Sequence, residues 1–156
     1  MRLRLHRRIM ARTMTPEMIR LVRTSFADVV PLGDAAASLF YDRLFTLEPS
    51  LRRLFPDDLQ QQKRSLMATL QFAVESLDRL DQLVPIVEQL GVRHARYGVQ
   101  PAHYPVVGSA LLWTLEQGLG PAFTPAVRHA WTNVYELLAT TMQAAAGRAQ
   151  PVAAGD

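Results

Sequence analysis

The sequence predicts an all-α fold, and three observations support this prediction. Apolar residues recur three and four positions apart through most of the chain, which is the spacing of a buried helix face. Proline, glycine and capping residues divide these stretches into six main helices and one short one. No stretch shows sustained alternation; the only alternating run covers residues 2–5. Because the chain has 156 residues and no linker-like segment, we expect one domain, built as a helix bundle or as crossed helix layers.

The first two helices are predicted from their end signals. The first begins after Thr15, where a capping threonine, a first-turn proline and an acid follow one another, and it ends at Pro31. The second begins at residues 33–34 and ends at residues 48–50, and a short helical segment over residues 51–55 follows it. Helical spacing places these residues on inner faces: Ile19, Val22, Phe26, Val29, Val30, Leu39, Phe40, Leu44, Phe45 and Leu47.

Four further helices are predicted downstream. The third begins at residues 56–58, the fourth ends at Gly98, the fifth runs from Pro101 to a break at residues 118–121, and the last begins at residues 124–125. From Ala144 onward the residues are small and polar, so we expect the chain to fray there. Their inner faces are predicted to carry Leu59, Leu66, Leu70, Ala73, Leu77, Leu80, Leu83, Val84, Val87, Leu90, Tyr104, Val107, Leu111, Leu115, Leu119, Val127, Trp131, Val134, Leu138 and Met142.

Charge is unevenly distributed along the chain. The sequence has 17 basic and 14 acidic side chains, but residues 1–13 hold five arginines and no acid. Residues 14–156 therefore carry 12 basic and 14 acidic side chains, so we expect no nucleic-acid partner for this part. The basic N-terminus could contact phosphates or an anionic membrane, although a disordered extension, or a start at Met14, explains it more simply. We predict a folded domain over residues 14–146, a disordered extension at 1–13 and a disordered tail at 147–156.

Cysteine and long apolar runs are both absent from the sequence. Without cysteine, disulfides, thiolate metal sites and cysteine nucleophiles are excluded, and a reducing cytoplasmic location is compatible with this composition. No uncharged apolar run is long enough for a transmembrane helix. The N-terminus also lacks the apolar core of a secretory signal. We therefore expect a cytoplasmic protein without a membrane span.

His94 is the centre of the stretch that carries most functional information. It lies four residues after Leu90 and so continues the apolar stripe of its helix, which directs a titratable imidazole toward the core. Such a histidine is often a core residue whose hydrogen bonds are satisfied. It can also be a metal ligand, since histidine is the commonest metal ligand among side chains. Spacing alone leaves both interpretations open.

Tyr41 and Gln62 also interrupt apolar faces, and such interruptions are expected at functional sites. Each has a separate explanation, because a tyrosine hydroxyl can bond a backbone carbonyl and a glutamine can lie at the edge of its stripe in water. One polar pocket shared with His94 explains all three. His103 and His129 are interpreted as surface residues without a role, so a single imidazole suits a macrocycle that brings four nitrogens of its own better than it suits zinc. The expected pocket walls are Phe40, Phe45, Phe55, Leu66 and Val107.

Several motifs in order resemble the globins, specifically bacterial single-domain globins similar to the haem domain of flavohaemoglobins. The resemblance covers about residues 14–143, and the ordered set is specific although each motif alone would be weak. The matching segments are residues 39–45 (LFYDRLF), 49–55 (PSLRRLF), 62–67 (QKRSLM), 93–99 (RHARYGV), 101–108 (PAHYPVVG), 111–115 (LLWTL) and 130–135 (AWTNVY).

The resemblance implies a role for each polar residue of the pocket. His94 would bind the iron of a haem b group on the proximal side. Tyr41 and Gln62 would form the distal pair that contacts oxygen, with Leu66 as their apolar neighbour and Phe55 wedged against the haem. The haem-pocket residues that the resemblance implies are Phe40, Phe45, Phe55, Leu90, Val99, Tyr104 and Val107.

One position departs from the family's pattern on the proximal side. The family has a glutamate late in the last helix that hydrogen-bonds the proximal histidine, whereas residues 144–146 of this chain are alanines. We therefore expect His94 to donate from its other ring nitrogen to a carbonyl one turn back, near Leu90. Tyr104, which matches the proximal tyrosine of flavohaemoglobins, completes the expected proximal hydrogen-bond network.

The resemblance implies a haem protein that binds oxygen reversibly and with high affinity through a distal Tyr/Gln pair. An alternative is a nitric oxide dioxygenase, for which we expect a separate reductase, because no reductase sequence follows the globin segment. A haem-based gas sensor and a globin-like helical module without haem are further alternatives. The expected ligands are oxygen, nitric oxide or another small diatomic molecule.

Overall fold

A computed structural model describes residues 14–149 of the chain. Residues 1–13 and 150–156, where the extension and most of the tail were expected, lie outside this range. The all-α prediction is confirmed, since the described residues contain no strand, and none of their helices is long and apolar enough to span a membrane. The α-helices are α1 (Pro16–Val29), α2 (Asp34–Leu47), α3 (Gln60–Glu75), α4 (Leu80–Arg96), α5 (His103–Leu119) and α6 (Pro125–Ala149). Short 3-10 helices occupy Val30–Leu32, Pro49–Leu54 and Gly120–Ala122.

Local sequence signals set the ends of several helices. The hydroxyl of Thr15 accepts the backbone N–H of Met18 at 3.1 Å, and the hydroxyl of Thr124 accepts that of Val127 at 3.2 Å. Each bond satisfies a donor that has no partner within its own helix. Gly98 follows α4 with a φ of 101°, a conformation that glycine adopts without strain. These signals were readable from the sequence because they depend on residues close in the chain.

The proline boundaries differ slightly from expectation. Pro31 lies inside the first 3-10 helix rather than directly ending α1, so the chain tightens before it turns. Pro101 lies in a turn two residues before α5, instead of opening that helix. Both differences fall within the one or two residues by which helix ends usually vary, and neither alters the order of the elements.

The last helix extends further than the sequence indicated. Fraying was expected from Ala144, but α6 continues to Ala149, so residues 147–149 of the expected tail are helical. Tertiary contacts explain the extension: Ala145 is buried, and the guanidinium of Arg148 reaches the carboxylate of Glu88 in α4 at 2.5 Å. Packing against α4 thus overrides the weak local signal at this end.

Trp131 of α6 forms the part of the core where α1 and α6 cross. Its side chain is fully buried, and its indole N–H donates to the hydroxyl of Ser25 at 2.8 Å. The ring of Phe26 lies beside it, with centroids 6.0 Å apart. A buried indole N–H without a partner would be destabilising, so this bond fixes the position of α1 on α6.

One glycine in α4 and one in α5 allow residues of α6 to pack closely against these helices. A Cβ atom on Gly91 would lie 2.3 Å from the backbone oxygen of Met142, so α4 and α6 are in backbone contact there. A Cβ atom on Gly108 would lie 2.5 Å from the ring of Tyr135, which packs on α5 at that point. Since His94 follows Gly91 by less than one turn, the first contact also sets where its imidazole lies.

Candidate functional site

An apolar cavity of about 230 Å³ lies between α2, α3, α4, α5 and α6. Nine of the eleven residues predicted for the site line it: Phe40, Tyr41, Phe55, Leu66, Leu90, His94, Val99, Tyr104 and Val107. The last helix contributes Leu138 and Met142, whose inward positions were predicted without a role in the site. At the opening, Phe72 and Ile86 line the cavity yet are 36% and 45% exposed. A flat apolar group inserted there would cover both side chains.

His94 presents its imidazole to this cavity from α4. Its Nδ1 atom lies 2.8 Å from the backbone carbonyl of Leu90, and because a carbonyl can only accept, Nδ1 carries the proton. Burial lowers the pKa of His94; the hydrogen bond to Leu90 opposes this shift, and the nearby charge of Arg93 adds to it. The ring is therefore held in its neutral form, with an unprotonated Nε2. This is the state in which an imidazole binds a metal.

Tyr41 also lines the cavity, from α2. It is only 7% exposed, and burial raises its pKa to about 12, so its hydroxyl stays protonated at neutral pH. The hydroxyl donates to the backbone carbonyl of Gln62 at 3.2 Å. This bond ties α2 to the first turn of α3. It is one of the explanations that the sequence left open for Tyr41, and it does not remove the ring from the cavity.

Gln62 is near the cavity but is not one of its lining residues. Its side-chain oxygen is buried and has no hydrogen-bond partner among residues 14–149. A buried amide oxygen without a donor is destabilising, typically by about 1–3 kcal/mol. A hydrogen-bond donor brought to this oxygen would therefore lower the energy.

Phe45 was predicted as a wall residue, but it lies behind the wall and does not line the cavity. Its ring stacks on Tyr41 with centroids 6.1 Å apart and meets Phe55 edge-on at 5.5 Å. Phe40 contacts the other side of Tyr41 at 5.1 Å. The aromatic cluster thus holds the Tyr41 ring from several sides, and Phe45 packs against that ring without lining the cavity itself.

Tyr104 is buried in α5 and lines the cavity, and burial raises the pKa of its hydroxyl. Within residues 14–149 its hydroxyl forms no hydrogen bond with His94, whose Nδ1 is bonded to Leu90. The backbone carbonyl of Tyr104 accepts the hydroxyl of Tyr135 from α6. The observed hydrogen bond of the proximal side is thus the one within α4.

His103 is the residue that the sequence interpretation missed. It was expected at the surface, but it is half-buried and lines the cavity at the start of α5. Its spacing contained the signal, because His103, Val107 and Leu111 follow one another at four-residue intervals and so share a helix face. His129 is exposed on α6, as expected.

A second, more open groove of about 660 Å³ lies between α5 and α6. Its lining mixes charged and polar side chains with apolar ones, and the guanidinium of Arg43 stacks over the ring of Trp113 within it. It contains no histidine. The enclosed apolar cavity around His94 is therefore the better candidate for a site that holds a metal-bearing group.

Comparison with known proteins assigns the fold and the site to a family. The sequence profile of the globins matches residues 38–142, a segment that includes Tyr41 and His94. The chain belongs to the globin family. Family membership accounts for an apolar cavity lined by His94, whose Nε2 is unprotonated, and implies that the cavity binds haem.

The curated relatives of this globin are longer proteins. It is 32% identical to a flavohemoprotein of Bacillus subtilis over 124 residues, which are 78% of this chain and 31% of that protein. It is 32% identical to a flavohemoprotein of Vibrio cholerae over 129 residues, 81% of this chain and 33% of that one. The chain therefore spans about a third of the length of these relatives.

Two solved structures support the fold. A bacterial globin from Campylobacter jejuni superposes with a TM-score of 0.76 at 23% identity, covering 86% of this chain and 97% of that one. An engineered carbene transferase, a variant of a candidate nitric oxide dioxygenase from Rhodothermus marinus, superposes with a TM-score of 0.80 at 28% identity. It covers 90% of this globin and 99% of that chain.

Proposed function

We propose that this globin binds haem b through His94 and takes up oxygen reversibly, with high affinity, beside Tyr41 and Gln62. The observation that carries the proposal is the state of His94. Its Nδ1 is occupied by the Leu90 carbonyl at 2.8 Å, and burial keeps the ring neutral, so Nε2 is available within an apolar cavity.

The cavity fits such a group by its chemistry. A porphyrin is flat and apolar over most of its surface, and the lining is apolar apart from a few polar side chains. Phe55 and Leu66 line the cavity as Tyr41 does, and the rings of Phe55 and Tyr41 have centroids 5.6 Å apart. Leu90 and Val99 also line it and lie near His94 in the chain. The bound haem would supply an iron with one coordination position open to a diatomic ligand. The protein would supply the imidazole on one side and control polarity on the other.

Tyr41 and Gln62 support the choice of oxygen as the ligand. An oxygen molecule gains partial negative charge when it binds ferrous haem, so protonated donors beside it slow its release. Tyr41 is such a donor, because its raised pKa keeps the hydroxyl protonated. Gln62 would donate from its amide nitrogen, and no hydrogen bond at its side-chain oxygen within residues 14–149 holds the amide in another orientation. A ligand with less charge would gain less from either residue.

Nitric oxide dioxygenation, with electrons supplied by a reductase, is a second candidate function. The relatives named flavohemoproteins and the Rhodothermus marinus protein favour it. In that reaction oxygen retained at the site oxidises nitric oxide to nitrate, and an electron donor then restores the ferrous state. The distal residues would keep oxygen bound until nitric oxide arrives.

Absorption spectroscopy of the purified full chain tests the proposal. We expect a Soret band, a ferrous spectrum that changes with oxygen and with carbon monoxide, and recovery of the ferrous form when oxygen is removed. A protein that copurifies with no haem and takes up none when it is added would contradict the proposal. Rapid mixing of the oxygenated form with nitric oxide then separates the two functions, because only dioxygenation yields stoichiometric nitrate and ferric haem.

A further inference from the structure

His103 has one ring nitrogen in use and one without a partner. Its Nδ1 lies 2.9 Å from the backbone N–H of Gln100, which can only donate, so Nδ1 accepts this bond and carries no proton. In the neutral ring the proton must then be on Nε2. Among residues 14–149, no hydrogen-bond partner is found for that Nε2 atom, and the side chain lines the cavity.

A cap on the turn before α5 explains only half of this arrangement. A side chain that reaches back three residues to a backbone N–H resembles the second bond of a capping box, a role that glutamate or glutamine usually fills. The bond from Gln100 to His103 has that spacing, but it caps the turn that leads into α5, since Ala102 is the N-cap residue of the helix itself. Capping requires an acceptor, but it gives no reason for a second nitrogen, with its proton, at the edge of an apolar cavity.

The cavity lining has little positive charge, although the group that it is proposed to hold has two carboxylates. Haem has two carboxylates on one edge, and buried or half-buried carboxylates are stabilised by a donor or a cation. No lysine or arginine lines this cavity within the described part of the chain. His94 is proposed to face the iron, so His103 is the other lining side chain with a nitrogen that can donate a hydrogen bond.

We propose that His103 anchors the haem by donating from Nε2 to one of its carboxylates. This inference rests on the proposed haem binding and adds a second protein contact to it, at the edge of the porphyrin. The bond from Gln100 fixes both the ring orientation and the tautomer, so the donor is set before haem arrives. His103 is therefore a haem-binding residue, and its effect belongs to haem retention, separate from the binding of oxygen.

The substitution His103→Glu separates the anchor from the cap. Glutamate can still accept the Gln100 N–H in the capping-box manner, but it has no donor and carries a negative charge. His129→Glu makes the same change of charge at an exposed position of α6 and is the matched control. The measured quantity is the rate at which haem leaves the ferric full-length protein for excess apomyoglobin.

We expect haem to leave His103→Glu roughly tenfold faster than wild type, which corresponds to about 1.4 kcal/mol. The His129→Glu rate should match wild type. When the proteins are reconstituted with haem dimethyl ester, whose carboxylates are blocked, His103→Glu should lose its difference from wild type. As a second variant, His103→Gln retains an acceptor for Gln100 and an N–H donor, and should stay within about threefold of wild type, or about 0.7 kcal/mol.

Each alternative outcome points to a different error. Equal haem loss from His103→Glu and wild type would overturn the anchor and leave His103 as a cap. Faster loss that persists with the dimethyl ester would also overturn it, because the effect would then come from altered packing. If wild type binds no haem at all, the proposed function fails and this inference fails with it. A His103→Glu protein that does not fold leaves the decision to His103→Gln and to the ester comparison in wild type, where the ester should leave faster.

Discussion

The two faces of the cavity, which we propose as the proximal and distal sides of a bound haem, differ in how completely the protein fixes their hydrogen bonds. On the proximal face, the Nδ1 of His94 is bonded to Leu90, and Nε2 is left for a ligand. On the distal face, Tyr41 donates to a backbone carbonyl and the side-chain oxygen of Gln62 has no partner among the described residues. The proximal face is thus preorganised for its ligand, whereas the distal face has to exchange or gain a hydrogen bond when a ligand enters.

The difference follows from the distance along the chain between the residues involved. His94 and Leu90 are one turn apart in α4, so helix geometry alone places the carbonyl under the ring. Tyr41 and Gln62 are on α2 and α3, and their contact depends on how those helices cross. A hydrogen bond within one helix is kept when other helices shift, whereas a hydrogen bond between two helices depends on their relative position. Substitutions on the two faces should therefore have different kinds of effect.

The largest effect is expected from His94→Ala. It removes the imidazole that we propose binds the iron, so the variant should lose most haem affinity and regain it only with added imidazole. Because bound haem stabilises the folded state, the melting temperature should fall as well. The Soret absorbance per protein and the thermal melt measure both effects. An unchanged spectrum with an unchanged melt would mean that the iron ligand lies elsewhere.

The next largest effect is expected from Gly91→Ala, which tests what supports the proximal face. The added methyl would lie 2.3 Å from the Met142 carbonyl oxygen, so α4 and α6 must separate. Overpacking of this kind is destabilising by about 1–3 kcal/mol, and the displaced helix should also alter the iron–histidine stretching frequency. Gly147→Ala is the control, since a Cβ atom there meets nothing within 4 Å. Equal unfolding free energies and equal Raman frequencies in Gly91→Ala and wild type would contradict the close approach.

The same contrast explains what the sequence could predict. The helices, their threonine caps and the position of His94 depend on residues within a few positions of each other, so periodicity and capping patterns identified them. The direction of the His94 hydrogen bond was predicted for the same reason. The extra turns of α6 were not, because Ala145 and Arg148 are held by contacts with α4 that no local pattern contains.

Residues placed by helix crossings were predicted less well. Phe45 shares the inner face of α2 with Tyr41, yet the crossing leaves it behind the wall instead of in it. His103 was assigned to the surface, although it continues the apolar face of its helix. The tight turn before α5 is what brings this first residue of the helix to the cavity, and the sequence pattern did not show that. The hydroxyl direction of Tyr41 requires the position of α3. Patterning identifies a face, and only the crossing determines which residues of that face reach the cavity.

Tyr41→Phe tests how far the distal face rearranges. If the hydroxyl turns from the Gln62 carbonyl to oxygen, its loss should raise the oxygen dissociation rate roughly tenfold, since about 1.4 kcal/mol corresponds to a factor of ten. This is less than a donor without a previous bond would give, because the bond to Gln62 is surrendered first. Carbon monoxide carries less charge and should respond much less. Equal oxygen rates in wild type and Tyr41→Phe, measured by stopped-flow displacement, would mean that the hydroxyl stays on the carbonyl.

The smallest effect is expected from Gln62→Leu, and it should have opposite signs in two measurements. Leucine removes the buried oxygen that has no partner, so the haem-free protein should unfold with a free energy about 1 kcal/mol higher than wild type. The same change removes an amide donor from the distal face, so oxygen should dissociate about two- to threefold faster, or about 0.4–0.7 kcal/mol. Gln61→Leu is the matched control, because Gln61 is exposed one position earlier in α3 and should change neither quantity. A Gln62→Leu protein that is less stable than wild type would show that the amide has a partner after all. The distal face would then be as completely set as the proximal one, and the contrast between the two faces would not hold.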